Sequence, residues 1–462
     1  AFFDVRTAGD RQLVAHLPIL WQTLALSLLT RARNKKARNC LAASKLKVNQ
    51  SPKGEKMKAL ECRRWMVLVV VGLALALTAP AQAGETIQLG LSLAITGPTS
   101  DAGNPYSKGV EDYIRMVNET GVLGDAKIDC PIRDDMYETA VTKRNFEDFL
   151  DQDMVLFLSY ATGANQALAQ DFNEVKIPVI PASMDKSLYS LSPFIFLPIA
   201  SYSHQYVGVA EYVARNHKGG DVPKVAAFIH PSAFGRAPLD DFKAAVSAGL
   251  KLDLVEVVEH GKDLDNSALL QRLASKGVQY VLCQTVQSPV ATLLNDAQRL
   301  GMTAKTYGEA GKITFLGAHY TGGNDLIALA GSAAEGYHWT TGYHVTSEPG
   351  PWTDWQLDIA KKYGRDDKTA NSHNYACGMM AAQVAVEAIR RTREAGNEVS
   401  MATLYETLNQ MNGDKAFTSP VGVGPVTYSD SDRMGIDTVQ LYVVKDGTFK
   451  SVDEPFIPEF IK

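Results

Sequence analysis

The residues able to do chemistry are scattered along the chain. Asp134-Asp135 could serve as an acid–base pair or hold a metal. The pair falls at the end of a predicted strand, just before a helix, where carboxylates commonly cap, and capping is the stronger reading. His319, His338, His344 and His373 lie far apart without ligand spacing, so a structural or ligand-contacting role outweighs metal for each. Cys130, Cys283 and Cys377 lack any C-x-x-C arrangement. At most one disulfide could join them, and small buried side chains account for most of them. Trp339, Trp352 and Trp355 read as core or surface anchors, not as a stacking platform. The chain has no G-x-S-x-G elbow, no H-E-x-x-H, no Walker-type loop and no G-x-G-x-x-G opening a helix after a strand. Gly422-Val-Gly424-Pro lacks the third glycine and reads as a turn. No cofactor is expected, and the residue set points away from catalysis. An exported enzyme using Asp134, Asp135 or His319 ranks behind binding.

One stretch suits binding. Thr162-Gly163-Ala164-Asn165 opens a predicted helix, where backbone N–H groups favour an anion. Gly163 would let the backbone approach a ligand closely, and Thr162 offers a hydroxyl. On residue types alone, an ordinary capping turn accounts for the same four residues equally well.

The elements that position these residues alternate. Strand patterns run at Ile87–Ile95, Lys127–Ile132, Met154–Leu158 and Ile177–Pro181, with helical spacing at Lys108–Val117, Thr139–Leu150 and Asn165–Val175 between them. The pattern restarts after Phe194–Pro198 with a helix from Ser203 to Asn216. Strands follow at Val225–Ile229, Leu254–Val258, Tyr280–Cys283 and Ile313–Leu316. Helices at Pro238–Ala248, Ser267–Ser275 and Pro289–Leu300 each stop at a glycine, namely Gly249, Gly277 and Gly301. Longer helices are predicted at Trp352–Lys362, Asn374–Glu394 and Met401–Met411, with a closing strand at Val439–Val444. Near-continuous apolar strands alternating with helices predict parallel sheets covered on both faces. Two such wings suggest a bilobal α/β protein. Ligands in open α/β sheets sit beyond the carboxyl ends of the strands. That places the candidate loops at Thr96–Pro105, Ser159–Asn165, Ala182–Ser187, His230–Arg236, Gln284–Pro289 and Ala318–Gly323.

Of 462 residues, 45% are apolar and 21% charged, which excludes wholesale disorder, collagen and a polytopic membrane protein. The first 83 residues hold 14 Lys/Arg against 4 Asp/Glu, leaving 32 against 47 in the remainder, a net of −15. With no basic stripe on the folded part, nucleic acid is not an expected partner. From Met57 a basic start, the 13-residue apolar run Trp65–Leu77 and the triplet Ala81-Gln82-Ala83 read as a secretory signal peptide over 57–83. The run is too short for a spanning helix, which needs about 20 apolar residues. Residues 1–56 read as a mis-called extension, with Met57 the true start. The expected location is therefore the periplasm.

The mature chain resembles the periplasmic solute-binding proteins of the leucine/isoleucine/valine type that feed ABC importers. The resemblance covers nearly all of 85–462. It rests on Ile87-Gln-Leu-Gly-Leu with Thr96-Gly97-Pro98, then Lys108-Gly109-Val110-Glu111, Arg133-Asp134-Asp135 and Ile177-Pro-Val-Ile-Pro-Ala-Ser183. It continues through Phe234-Gly235-Arg236, Asp241-Phe242-Lys243, Phe315-Leu316-Gly317, Ala334-Glu335-Gly336, Gly424–Tyr428 and Val439–Gly447. The resemblance implies a type I periplasmic binding fold: two lobes, three crossovers, and closure on a ligand like a hinged clamp. By analogy, lobe one takes 85–202 plus 343–430, and lobe two takes 203–342 plus 431–462. Partners implied are a small organic solute and membrane permease subunits, and a monomer suits a clamp that must dock on a permease. A sensing receptor of the same fold is the alternative.

The family's carboxylate-holding turn falls on Thr162, Gly163 and Ala164, and its second wall on Ser183, Met184 and Asp185. Tyr160, Phe234, Gln287, His319 and Tyr320 complete the expected ligand site. Two positions depart from the amino-acid binders. Met184 stands where their threonine contacts amine and carboxylate, and His319-Tyr320 where their other lobe supplies a glutamate. Methionine accepts only weak hydrogen bonds, and a buried ammonium without a carboxylate is costly. Asp185 is the nearby acid that could compensate. The expected solute is therefore not a branched-chain amino acid but an aromatic or other organic acid, or a small neutral polar compound.

Overall fold

The computed structural model describes residues 84–261 and 265–461. The expected signal peptide and the segment before it lie outside these residues. Residues 84–462 form one compact unit.

The first sheet grows from β1 (Thr86–Leu93), whose burial becomes continuous toward its C-terminal end because both faces are covered. It pairs in parallel with β2 (Lys127–Asp129), β3 (Ile132–Asp134) and β4 (Leu156–Ser159), and β4 pairs in parallel with β5 (Val179–Pro181). The sequence suggests a single strand over 127–132. Pro131 splits it, since proline has no N–H for the ladder, although its carbonyl still accepts from Leu91 N at 3.1 Å.

The second sheet is built on β6 (Lys224–Ile229), β7 (Asp253–Glu259), β8 (Tyr280–Gln284), β9 (Thr314–Gly317) and β10 (His338–Thr341), all parallel, in the order β7-β6-β8-β9-β10. Apart from these, β11 (Phe417–Thr418) and β12 (Pro425–Val426) form a short antiparallel pair. A hairpin of β13 (Gln440–Lys445) and β14 (Thr448–Ser451) adds two antiparallel strands beside β10. Its turn places Asp446 at φ 55 and Gly447 at φ 71, the handedness that a two-residue hairpin needs. Strand β6 shows the period-two pattern clearly. Val225, Ala227 and Ile229 enter one core cluster, whereas Ala226 and Phe228 enter the cluster on the opposite face.

The helix expected at Lys108–Val117 starts earlier and spans Ser100–Thr120, with Pro105 inside it. It packs along the helix His373–Glu394 at glycine contacts. A Cβ on Gly378 would overlap the carbonyl oxygen of Tyr106, and one on Gly109 would overlap that of Tyr375. Close backbone approach fixes both as glycine. The same helix buries Asp112, which accepts from Arg365 Nη2 at 2.6 Å, Arg365 Nε at 2.8 Å and the Tyr375 hydroxyl at 2.9 Å. Helices 373–394 and 401–409 share one apolar cluster with the first sheet. Phe234, Val286 and Tyr320, from loops of the second sheet, enter that same cluster, so the two halves meet along a seam.

Cys130, Cys283 and Cys377 are free thiols. Trp339 is fully buried in the core of the second sheet, and Trp352 stacks on His344 with ring centroids 4.0 Å apart. Among the described residues, no helix is long and apolar enough to cross a membrane.

Candidate functional site

Seven loops that leave the C-terminal ends of parallel strands converge on the seam, as open α/β sheets require. From the first sheet, β1 leads to Thr99, β3 to Tyr137, β4 to Tyr160, Ala161 and Thr162, and β5 to Ala182. The second sheet supplies Phe234 after β6, Val286 after β8 and Tyr320 after β9. Tyr202, the first residue of the helix Tyr202–Asn216, closes the ring. Together they line a narrow slot at the seam.

Aromatic rings dominate the walls. Tyr202 meets Phe234 edge-on with centroids 5.2 Å apart, and Phe234 meets Tyr320 at 5.9 Å. On the opposite side, Tyr137 meets Tyr160 at 6.2 Å. Burial holds the Tyr160, Tyr202 and Tyr320 phenols far above their ordinary titration range, so they remain neutral donors. Tyr160 gives its proton to the carbonyl of Thr99 at 3.1 Å, and Tyr320 crosses the seam to the carbonyl of Ala182 at 2.8 Å. The Thr99 hydroxyl is buried without a partner at the edge of the slot. No lining residue carries a charge.

The helix Thr162–Val175 begins at this slot with Ala161 in the N-cap position. Alanine has no side-chain acceptor, so the first-turn N–H groups of Thr162, Gly163 and Ala164 are left without a cap. The Thr162 and Ser183 hydroxyls lie 2.7 Å apart. A Cβ added to Gly163 would meet only the Ala233 methyl group, at 3.8 Å, so the backbone here is open to the seam.

Asp134 and Asp135 are structural carboxylates, but they do not cap the following helix Thr139–Leu150, which has Glu138 in the N-cap position; they hold the turn before it. Asp134 accepts from the N–H groups of Ile95 and Thr96 and, at 3.0 Å, from that of Met136. Asp135, fully buried, accepts from Tyr137 N at 2.9 Å and from the Ser92 and Thr142 hydroxyls. Their work is to hold Met136 and Tyr137 at φ 54 and 65, a left-handed conformation uncommon outside glycine. That strained turn points the Tyr137 ring into the slot.

Of the expected site residues, the structure brings Tyr160, Thr162, Phe234 and Tyr320 to the slot, with Gly163, Ala164 and Ser183 directly behind. The others turn away. Met184 is buried, and its carbonyl accepts from Tyr202 N at 2.7 Å. Asp185 takes hydrogen bonds from Gln166 and Ser187, both at 2.7 Å, and does not line the slot. Gln287 donates to the carbonyl of Gly322 at 3.2 Å. His319 points into the interior, toward His373 and Cys377. Tyr137 and Tyr202 lie outside all six candidate loops. The left-handed turn was not visible in residue types, and Tyr202 reads as the start of a helix.

Comparison with known proteins places this geometry. A family model described as periplasmic binding protein matches residues 86–448. A branched-chain amino acid ABC transporter protein from Thermus thermophilus, solved with bound valine, is 43% identical, with a TM-score of 0.77. The match covers 82% of this chain and 98% of that one. The Leu/Ile/Val-binding protein homolog 3 of Brucella melitensis is 22% identical over 376 residues, covering 78% of this chain and 92% of that protein. A solute-binding protein from R. palustris in complex with 4-hydroxybenzoate has the same fold, with a TM-score of 0.67 at 19% identity, covering 81% of this chain and 98% of that one.

Proposed function

From the premise that this chain belongs to the periplasmic binding protein family, we propose that its slot captures a small organic acid, aromatic acids ahead of branched-chain amino acids. The chain is the substrate-binding component of an ABC transporter. The single observation that carries the finer reading is the uncharged, aromatic lining. A carboxylate placed at the start of helix Thr162–Val175 would meet uncapped N–H groups and the Thr162 and Ser183 hydroxyls. The rest of an aromatic acid would lie among Tyr160, Tyr202, Phe234 and Tyr320. An α-ammonium group would find no carboxylate there, because Asp185 is committed to Gln166 and Ser187. Burying a charge unpaired costs several kcal/mol. The R. palustris protein with 4-hydroxybenzoate supports the reading at the level of a shared fold.

A second reading has its own support. The Thermus thermophilus protein, at 43% identity, holds valine. The two readings differ in how the ammonium is satisfied, and a ligand screen separates them.

In this proposal the crossovers near residues 202, 342 and 430 are the hinge, lobe one being 85–202 plus 343–430 and lobe two 203–342 plus 431–462. The closed monomer then docks on the permease subunits. Delivery to a permease is preferred to signalling, and no turnover is expected.

The test is a thermal-shift screen with benzoate, 4-hydroxybenzoate, valine and leucine. A ligand at a hundredfold excess over its Kd adds about 2.7 kcal/mol to the folded state. A shift with the benzoates supports the proposal. A shift with valine alone selects the second reading, and no shift with any of the four sinks both.

A further inference from the structure

We propose that His319, His373 and Cys377 form a metal site for zinc(II), distinct from the solute slot, that ties the two halves of the molecule together. His373 and Cys377 stand one turn apart on the helix His373–Glu394, so their side chains share a face. His319 comes from the short turn after β9, on the other half. Their donor atoms all lie within 4.8 Å of one another.

The separations from the sulfur match those around a tetrahedral ion. Zinc bonds of about 2.0–2.1 Å to nitrogen and 2.3 Å to sulfur set N···N edges of about 3.4 Å and N···S edges of about 3.6 Å. His373 Nε2 lies 3.3 Å from His319 Nδ1, the ring nitrogen that faces away from the sulfur contact. Cys377 Sγ is 3.5 Å from His373 Nε2 and 3.7 Å from His319 Nε2. Two imidazoles and one thiolate form a borderline-soft donor set that suits zinc, and a water would complete four-coordination.

All three residues are at most 5% exposed; His373 Nδ1 has no partner, and the Cys377 thiol, which an ion would deprotonate, donates to the carbonyl of His373 at 3.1 Å. Thr341 Oγ1 lies 3.4 Å from His319 Nδ1, in position to orient that ring and leave Nε2 for the ion. Asp325 accepts from His373 N at 3.1 Å and from Ser372 Oγ at 2.9 Å, which fixes the start of the helix and brings a carboxyl group beside the cluster. His373 also lines a small crevice with His344 and Asn371. Binding replaces the Cys377 S–H bond with a Zn–S bond and releases one proton to solvent. Because the donors span both halves, the bound ion favours the closed clamp.

The experiment is a titration of the chelator-treated protein with cobalt(II) as a spectroscopic stand-in, then with zinc(II). The expected result is one equivalent bound, a thiolate-to-cobalt charge-transfer band, and displacement of cobalt by zinc. Cys377→Ser abolishes the band and weakens zinc at least tenfold, while Cys283→Ser, at a thiol buried in the other sheet, leaves both unchanged. Failure of the wild-type protein to take up either ion while its circular dichroism stays native overturns the proposal, as does a band retained in Cys377→Ser. Uptake of copper(I) without zinc overturns the assignment to zinc. The solute screen reads a different site, so either proposal can fail alone.

Discussion

Tyr320→Phe isolates one hydroxyl at the seam. That hydroxyl donates to the Ala182 carbonyl, 2.8 Å away, and joins a loop of the second sheet to the end of β5 in the first. Tyr320 is 5% exposed and Ala182 is 1% exposed, so no water substitutes for the lost donor once the halves meet. In the proposed open state the carbonyl would be free to bond water, and the substitution close to neutral. The loss therefore falls on closure, and leaving a buried carbonyl unpaired costs about 1–3 kcal/mol. Taking the lower half of that range, solute Kd should rise roughly 5- to 30-fold. Phenylalanine keeps the ring against Tyr202 and Phe234, so packing changes little.

Ser288→Ala removes a second bridge across the same seam, from Ser288 Oγ to Asp101 Oδ2 at 2.6 Å. This bridge is exposed, and water can replace the serine. The cost should stay within about 0.5 kcal/mol, less than threefold in Kd. Isothermal titration of both variants with the solute found in the thermal-shift screen makes the comparison, with unliganded melting as the control. Equal losses in the two variants, or a Tyr320→Phe effect under twofold, would refute the argument that burial decides the worth of a bridge.

Two further outcomes follow from packing and burial. Gly378→Ala forces a methyl group onto the carbonyl of Tyr106 and should cost about 3 kcal/mol of unfolding free energy. Gly396→Ala, at φ 77 with open space around it, should cost only about 1 kcal/mol in chemical denaturation, and equal costs would contradict the helix contact. His338 is buried against the Tyr212 and Tyr307 rings, and burial pushes its pKa down to about 4. A histidine depressed in the folded state binds its proton only on unfolding, so its contribution is full above about pH 6.5 and is lost as pH falls toward 4. The loss amounts to up to about 3 kcal/mol. His338→Gln should lessen the pH dependence of stability across that window, where His204 and His230 are depressed as well, and parallel curves for wild type and variant would exclude this origin.

The architecture was legible because its signals are local. Apolar runs such as Leu282–Cys283 in β8, and glycine stops such as Gly249 at φ 115 and Gly301 at φ 65, depend on a few adjacent residues. The strand β10 was missed because His338-Trp339-Thr340-Thr341 shows neither an apolar run nor alternation. Its place is settled by neighbours far along the chain, β9 on one side and β13 on the other. Asp134 and Asp135 were legible as structural carboxylates, but they bind a turn and not the helix start that their position suggests. The turn at Met136-Tyr137 exists because two carboxylates seize consecutive N–H groups, and nothing in the tripeptide itself favours positive φ.

The site was legible in its loops and not in its side-chain directions, and His319-Tyr320 shows why. Read by position, both residues fall where the other lobe of the amino-acid binders offers its ligand contact. In the structure they sit in a 3-10 turn, His319–Thr321, where successive residues project about 120° apart. Tyr320 therefore faces the slot while His319 faces the interior, 3.3 Å from His373. A histidine that is unremarkable by spacing, 54 residues from His373, thus gains two partners that only the fold supplies. The same geometry removes Asp185 from the slot, through a turn that spends its carboxylate on Ser187 and Gln166. Under the proposed function, specificity is a property of how each loop turns after its strand, and a one-residue shift in the turn His319–Thr321 would exchange a phenol for an imidazole at the slot.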